Sequence, residues 1–203
     1  MTSAPERTTY AIDDASADLL FRHARTANKF TDAPVTEDEL RAIYELVKWA
    51  PTAMNGQPFR IVVVASEDAK ARLQTHLREP NRAKTASAPL TVIIALDTEF
   101  HENLPALFPH FPGAKNMFAD TDPRHNVAKA QTWLQTGYFI LGVRALGLAA
   151  GPMTGFDSAG VDADLLAGTN LQSVVVINIG HPDHDATFDR LPRLSYEDVV
   201  TTI

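Results

Sequence analysis

Apolar residues recur at helical spacing in the first quarter of the chain and then gather into unbroken runs. Ala15, Leu19, Leu20, His23 and Ala24 fall three to four residues apart, which predicts a helix over 15–28. Thr36-Glu37-Asp38-Glu39 has the form of a capping box, Thr36 as N-cap and Glu39 reaching back. It opens a helix with Leu40, Ile43, Tyr44, Val47 and Ala50 on one face, and Pro51 stops it. Three continuous runs, Ile61–Ala65, Leu90–Leu96 and Val174–Gly180, are rich in β-branched residues and predict strands covered on both faces. Ser66 caps a helix through about Leu77, and Val161–Ala167 is a shorter one. Val127–Leu146 is apolar on most sides (Trp133, Leu134, Tyr138, Ile140, Leu141, Val143), so it predicts a helix buried centrally or at a subunit interface, with Gly147 as its C-cap. Gly151–Asp157 reads as a tight loop. Residues 1–14 read as a loose tail, and 98–124, rich in Pro, His and Phe, as a long excursion with partial order. There is no repeat and no linker, so 15–203 is taken as one domain. Pattern alone leaves α/β and α+β nearly equal.

Composition narrows the function. The chain has 203 residues, 45% apolar and 21% charged, a profile with enough material for a real core. Its formal charge is −7, with the basic residues scattered, which argues against nucleic acid as a partner. It contains no cysteine, which removes disulfides, thiolate nucleophiles and iron–sulfur ligation and fits a reducing cytoplasm. No apolar run approaches the length of a membrane span, and residues 1–10 lack the apolar core of a secretory signal. His181-Pro182-Asp183-His184 has a chelate-like spacing, but its place in a loop after a strand makes a polar turn the simpler reading, and no metal site is expected.

The richest stretch is 49–59, Trp-Ala-Pro-Thr-Ala-Met-Asn-Gly-Gln-Pro-Phe. It links the second helix to the first strand and combines two prolines, a hydroxyl, two carboxamides and a glycine. Carboxamides offer paired donors and acceptors suited to a flat heterocycle. An ordinary helix stop followed by a turn would use similar residues. The stretch resembles the Ala-Pro-Ser-x-x-Asn-x-Gln-Pro-Trp signature of the nitroreductase family, with Thr52 for Ser and Phe59 for Trp. Three further segments resemble that family in order and spacing. Arg25-Thr26-Ala27-Asn28-Lys29-Phe30 is similar to its Arg-Arg-Ser-x-Arg-x-Phe segment, with Ala24 and Asn28 in place of two arginines. Gly151-Pro152-Met153-Thr154-Gly155-Phe156-Asp157 is similar to its Gly-Pro-x-x-Gly-Phe-Asp element. Leu191-Pro192-Arg193-Leu194 is similar to its closing Lys-Pro-Arg, with Leu191 for the lysine and Arg190 as a candidate replacement.

The resemblance implies an α+β nitroreductase-like fold: a central, mainly antiparallel sheet wrapped by helices, in a homodimer around a long central helix. It implies an oxidoreductase that binds FMN and takes hydride from NAD(P)H. Arg25, Thr26, Asn28 and Arg193 would hold the phosphate end. Pro51 and Thr52 would line the ring, with Asn55 and Gln57 supplied across the dimer interface. Asn81 and Lys84 would contact the ring, Lys84 beside the locus that becomes negative on reduction. Pro152, Met153 and the backbone of Thr154 and Gly155 would sit at the reactive edge. No acid–base side chain is nominated, because the cofactor carries the chemistry. The subgroup most resembled contains the malonic semialdehyde reductase of pyrimidine utilisation, which makes 3-oxopropanoate the candidate acceptor. His110, Lys115, Arg124 and His125 are candidate cations for such an anionic aldehyde. A broad quinone or nitroaromatic reductase, with the Phe-rich excursion as a lid, and a non-catalytic flavin-binding protein are the alternatives.

Overall fold

The computed structural model describes residues 10–183 and 189–203. Helix α1 (Asp14–Ala17) runs directly into a π-helical turn, Asp18–Arg22. The helical stretch thus ends six residues before the expected Asn28, and Ala24–Asn28 belongs to no helix or strand. The remaining helices are α2 (Glu37–Val47), α3 (Glu67–His76), α4 (Glu79–Ala86), α5 (Leu104–Leu107), α6 (Thr121–Ala145), α7 (Ser158–Asp164) and α8 (Tyr196–Val199). The capping box at Thr36 and Glu39 forms as read, with both reciprocal bonds made.

Four strands, β1 (Phe59–Val63), β2 (Leu90–Asp97), β3 (Ala149–Met153) and β4 (Leu171–Gly180), form one antiparallel sheet in the order β1-β2-β4-β3. This is the α+β architecture expected. β3 was not foreseen. Gly151, Pro152 and Met153 belong to it, and only 154–157 is loop. Its five residues include Gly and Pro, which hide a strand from propensity, and an edge position tolerates the proline. β1 also departs from expectation. It starts at Phe59, lies at the other edge and is half-covered, with Val63 exposed. A β-branched run therefore marked a strand but not its place in the sheet.

Alternation along the two central strands splits the core. Val92, Ile94, Val175, Ile177 and Ile179 pack with Ile43 and Val47 of α2 and Phe139 and Val143 of α6. Ile93 and Val176 face the other way, onto Leu73 and Leu77 by α3 and Val161 of α7. Gly142 lets α2 approach α6, since a Cβ there would run into Val47. A third cluster lies under the excursion, where Phe100, Leu104, Ala114 and Phe118 pack on Leu96 and Ala128. Phe100 and Phe118 meet edge-on at 5.1 Å between ring centroids. The excursion is therefore anchored by its own core of short helical turns, and α6 begins at Thr121, six residues before the expected Val127. Among the described residues no helix is long and apolar enough to cross a membrane.

Candidate active site

Two of the four segments singled out in the sequence, 25–30 and 151–157, meet on α4, which carries Asn81 and Lys84. Asn81 donates through Nδ2 to the Gly155 carbonyl at 3.0 Å, and the Arg78 amide donates to the same oxygen at 3.0 Å. Lys84, one turn along, donates to Asn28 Oδ1 at 3.4 Å. Ala27 N–H donates to the carbonyl of Ala150 at 3.0 Å, which ties the 24–28 segment to β3. A Cβ on Gly155 would stand 2.8 Å from Asn81 Nδ2, so glycine is what lets the 154–157 loop seat on α4. α4 itself is fixed by a buried polar relay. Asn178 on β4 donates to Thr85 Oγ1 at 3.1 Å and accepts from Thr91 Oγ1 at 2.9 Å. All three are fully or almost fully buried, so each relies on the others for hydrogen bonds.

The arginines on and beside the 24–28 segment have no carboxylate partner among the described residues. Arg25 donates to the carbonyls of Arg22, His23 and Ala24. Arg190 donates to those of Arg22 and Ala24, and Arg193 to those of Leu191 and Pro192. Desolvation, then the charges of Arg25 and Arg193, push the Arg190 guanidinium below its ordinary pKa. Desolvation, then Arg190, does the same to Arg144. Four like charges thus sit close enough to repel each other, and among the described residues they donate to backbone oxygens alone. Thr26, also expected here, is exposed on the same segment.

The signature loop lies elsewhere. Its Ala53 amide donates to Gln131 Oε1 of α6 at 2.9 Å, and Asn55 Nδ2 to the Leu107 carbonyl at 2.9 Å. Thr52 Oγ1 accepts from the Gln57 amide at 3.2 Å, and Gln57 Nε2 reaches Asn55 Oδ1 at 2.8 Å. Pro51 is exposed. Met54, Asn55 and Gln57 have φ of 51°, 51° and 44°, a left-handed backbone uncommon for residues other than glycine. Strain of about 1–3 kcal/mol per residue persists only where surrounding bonds hold it, and it gathers at functional sites. Among the described residues no hydrogen bond links this loop to the α4 cluster.

Of the four cations proposed for an anionic acceptor, two are neutralised. Lys115 pairs with Glu102 at 2.6 Å, and Arg124 with Glu99 at 2.9 Å. The Lys115 contact draws the Glu102 carboxyl below its ordinary pKa. His110 packs against Phe108 with ring centroids 3.9 Å apart. His125 lines a cavity beside Thr154. In the chelate-like 181–184 stretch, His184 lies outside the described residues; His181 approaches Glu39 at 3.7 Å.

The nitroreductase family model matches residues 21–181. A provisionally named NADH dehydrogenase/NAD(P)H nitroreductase of Streptomyces griseus is 54% identical over 193 residues, 95% of this chain and 98% of that protein. One of the same name from Stenotrophomonas maltophilia is 49% identical over 93% of this chain and 96% of its own length. The chain belongs to the nitroreductase family. Its fold is shared with a protein of Exiguobacterium sibiricum, provisionally identified as a nitroreductase and solved in complex with FMN. The two are 19% identical with a TM-score of 0.82, over 97% of this chain and 100% of that one.

In this nitroreductase-family chain several site neighbours escaped the sequence. Gln131 and Gln135 bond the signature loop from α6, Gln135 at 3.3 Å from the Phe59 amide. Their spacing of four on an apolar helix was a legible signal of a shared polar face. Arg144 gave none, since a basic residue in the last turn is ordinary helix chemistry. Asn178 in an apolar strand was a visible anomaly, because a buried carboxamide demands partners.

Proposed function

We propose that this chain is an FMN-dependent oxidoreductase that takes hydride from NAD(P)H and passes it to a small acceptor. The observation that carries the reading is the group of arginines without carboxylates among the described residues, Arg25, Arg190 and Arg193, on and beside a segment that Asn28 ties to Lys84, one turn from Asn81 and the 154–157 loop. Such a group fits a phosphate, whose dianion would replace repulsion with charge-assisted bonds. The donor set also fits the resemblance, and Arg190 makes up for the cation absent at Leu191.

In this reading Arg25, Arg190 and Arg193 hold the phosphate, with Thr26 and Asn28 as further donors. Lys84, Asn81, Pro152, Met153 and the amides of Thr154 and Gly155 hold the ring end. FMN, when bound, supplies the two-electron chemistry. Lys84 provides a fixed cation for the charge that develops there, and Asn28 orients its ammonium. Asn81 locks the 154–157 loop, so its amides need no rearrangement during turnover.

A homodimer is part of the proposal. Leu134 and Tyr138 of α6 are 40% and 43% exposed, an apolar surface that a second copy would cover. Pro51, Thr52, Asn55 and Gln57 would then serve the partner's site. Light scattering after gel filtration tests this, and a monomeric holoprotein would remove the signature loop from the site. For the acceptor, 3-oxopropanoate is the first to try, with quinones and nitroaromatics as the competing class. The decisive experiment is an absorbance spectrum before and after anaerobic NADPH. Near-UV and blue bands that bleach support the reading. Bands that persist point to a flavin-binding protein without reductase activity, and no bands after FMN addition sink it.

A further inference from the structure

Resting on the FMN reductase reading, we propose that the cavity beside Thr154 recognises acceptors with a carboxylate on a flat apolar body. Lys129 and His125 would bind the carboxylate, and Trp133 would pack on the body. The cavity measures ≈ 360 Å³, within the usual range for a small-molecule site. His125, Lys129 and Trp133 line it from α6 at intervals of four residues, so they form one stripe along the helix. Thr154 also lines it and belongs to the loop assigned to the reactive ring edge. Leu96, Phe156 and Val174 make much of the remaining wall apolar.

The two cations differ from their neighbours in the excursion. Lys115 and Arg124 are held by Glu102 and Glu99, whereas the side chains of Lys129 and His125 make no ion pair or hydrogen bond among the described residues. An unneutralised ammonium beside an indole is suited to an arene carboxylate, because each half of the ligand meets its own complement. The one carboxylate in the wall, Asp162, already accepts from the Ser173 amide at 2.8 Å. The cavity is too small for a whole dinucleotide, so the carboxylate is assigned to the acceptor.

The test uses the FMN-loaded protein and two probes of equal shape, 4-nitrobenzoate and neutral 4-nitrobenzamide. Lys129→Ala should raise KM for the acid about tenfold, the scale of one charge-assisted bond, and leave the amide within twofold. Lys129→Arg should retain most of the preference. Binding is read independently by quenching of Trp133 fluorescence in a Trp49→Phe background, which does not depend on turnover. There, Lys129→Ala should weaken the acid alone. Equal changes for both probes, or no change, would overturn the inference. So would a rise in KM for NADPH without one for NADH, which would give Lys129 to the nicotinamide cofactor. Failure of NADPH to bleach the flavin would overturn the reductase reading instead, and the quenching arm would still report on the cavity.

Discussion

Two groups of cations lie on this protein, and they have opposite surroundings. Around the excursion, Arg124 pairs with Glu99 and also donates to the carbonyls of Phe118 and Ala119, while Lys115 pairs with Glu102. On the segments outside helices and strands, Arg25, Arg190 and Arg193 bond only backbone oxygens among the described residues, and Arg190 is repelled by the other two. The first group is internally neutral and holds a surface segment on its own small core. The second leaves charge unspent, which costs stability in the free chain and is repaid only by an anion. Charge count alone does not separate the two; the company each guanidinium keeps does.

The largest expected break in this contrast comes from the second group. Arg190→Ala with Arg193→Ala should weaken FMN binding by about a hundredfold, at roughly 1.5 kcal/mol per charge-assisted bond. Riboflavin, which lacks the phosphate, should bind both proteins alike in a fluorescence titration. Equal losses for the two ligands would place the arginines outside the phosphate end. Arg124→Ala should do the reverse. Its side chain is 12% exposed against 36% for Glu99, so the melting temperature should fall with a loss of about 2 kcal/mol, and FMN affinity should stay within twofold. A third change sharpens the role of the scaffold beneath Lys84. Thr85→Val removes the oxygen acceptor of Asn178 Nδ2, leaving only the weak Met153 Sδ contact, and should cost about 1 kcal/mol in urea denaturation, with a smaller loss of FMN affinity.

The smallest effect concerns pH. Hydrogen bonds from Arg72, then His76, hold the Asp164 carboxyl below its ordinary range. A depressed carboxyl stabilises the fold above its unfolded pKa, about 4, and loses that contribution as pH falls through the folded value. The gap between wild type and Asp164→Asn should therefore be present at pH 7 and shrink below about pH 4 in thermal melts. A gap that stayed constant into acid would show that Asp164 does not work through its charge.

Much of the site was legible because its residues come in short contiguous motifs. Arg25–Asn28, Asn81–Lys84 and Thr154–Gly155 were each marked locally, and the fold joins them through Asn28–Lys84 and Asn81–Gly155 bonds. The small core beneath the excursion was not legible for a related reason. Phe100, Leu104 and Phe118 lack a helical or strand period, yet they close on Leu96 and Ala128 from β2 and α6. Periodicity detects a face presented by one element and is blind to a core assembled from several turns.

By itself the sequence determined the helix starts at Thr36 and Ser66, the central strands β2 and β4, the family motifs and the absence of cysteine chemistry. These depend on neighbours along the chain, where propensity, capping and alternation act. Tertiary structure alone decided that Gly151-Pro152-Met153 pairs as an edge strand and that Met54, Asn55 and Gln57 adopt left-handed backbone. It alone decided which cations find carboxylates. Each of those outcomes is set by groups tens of residues away, because strand pairing, strain and charge neutralisation are properties of proximity in space.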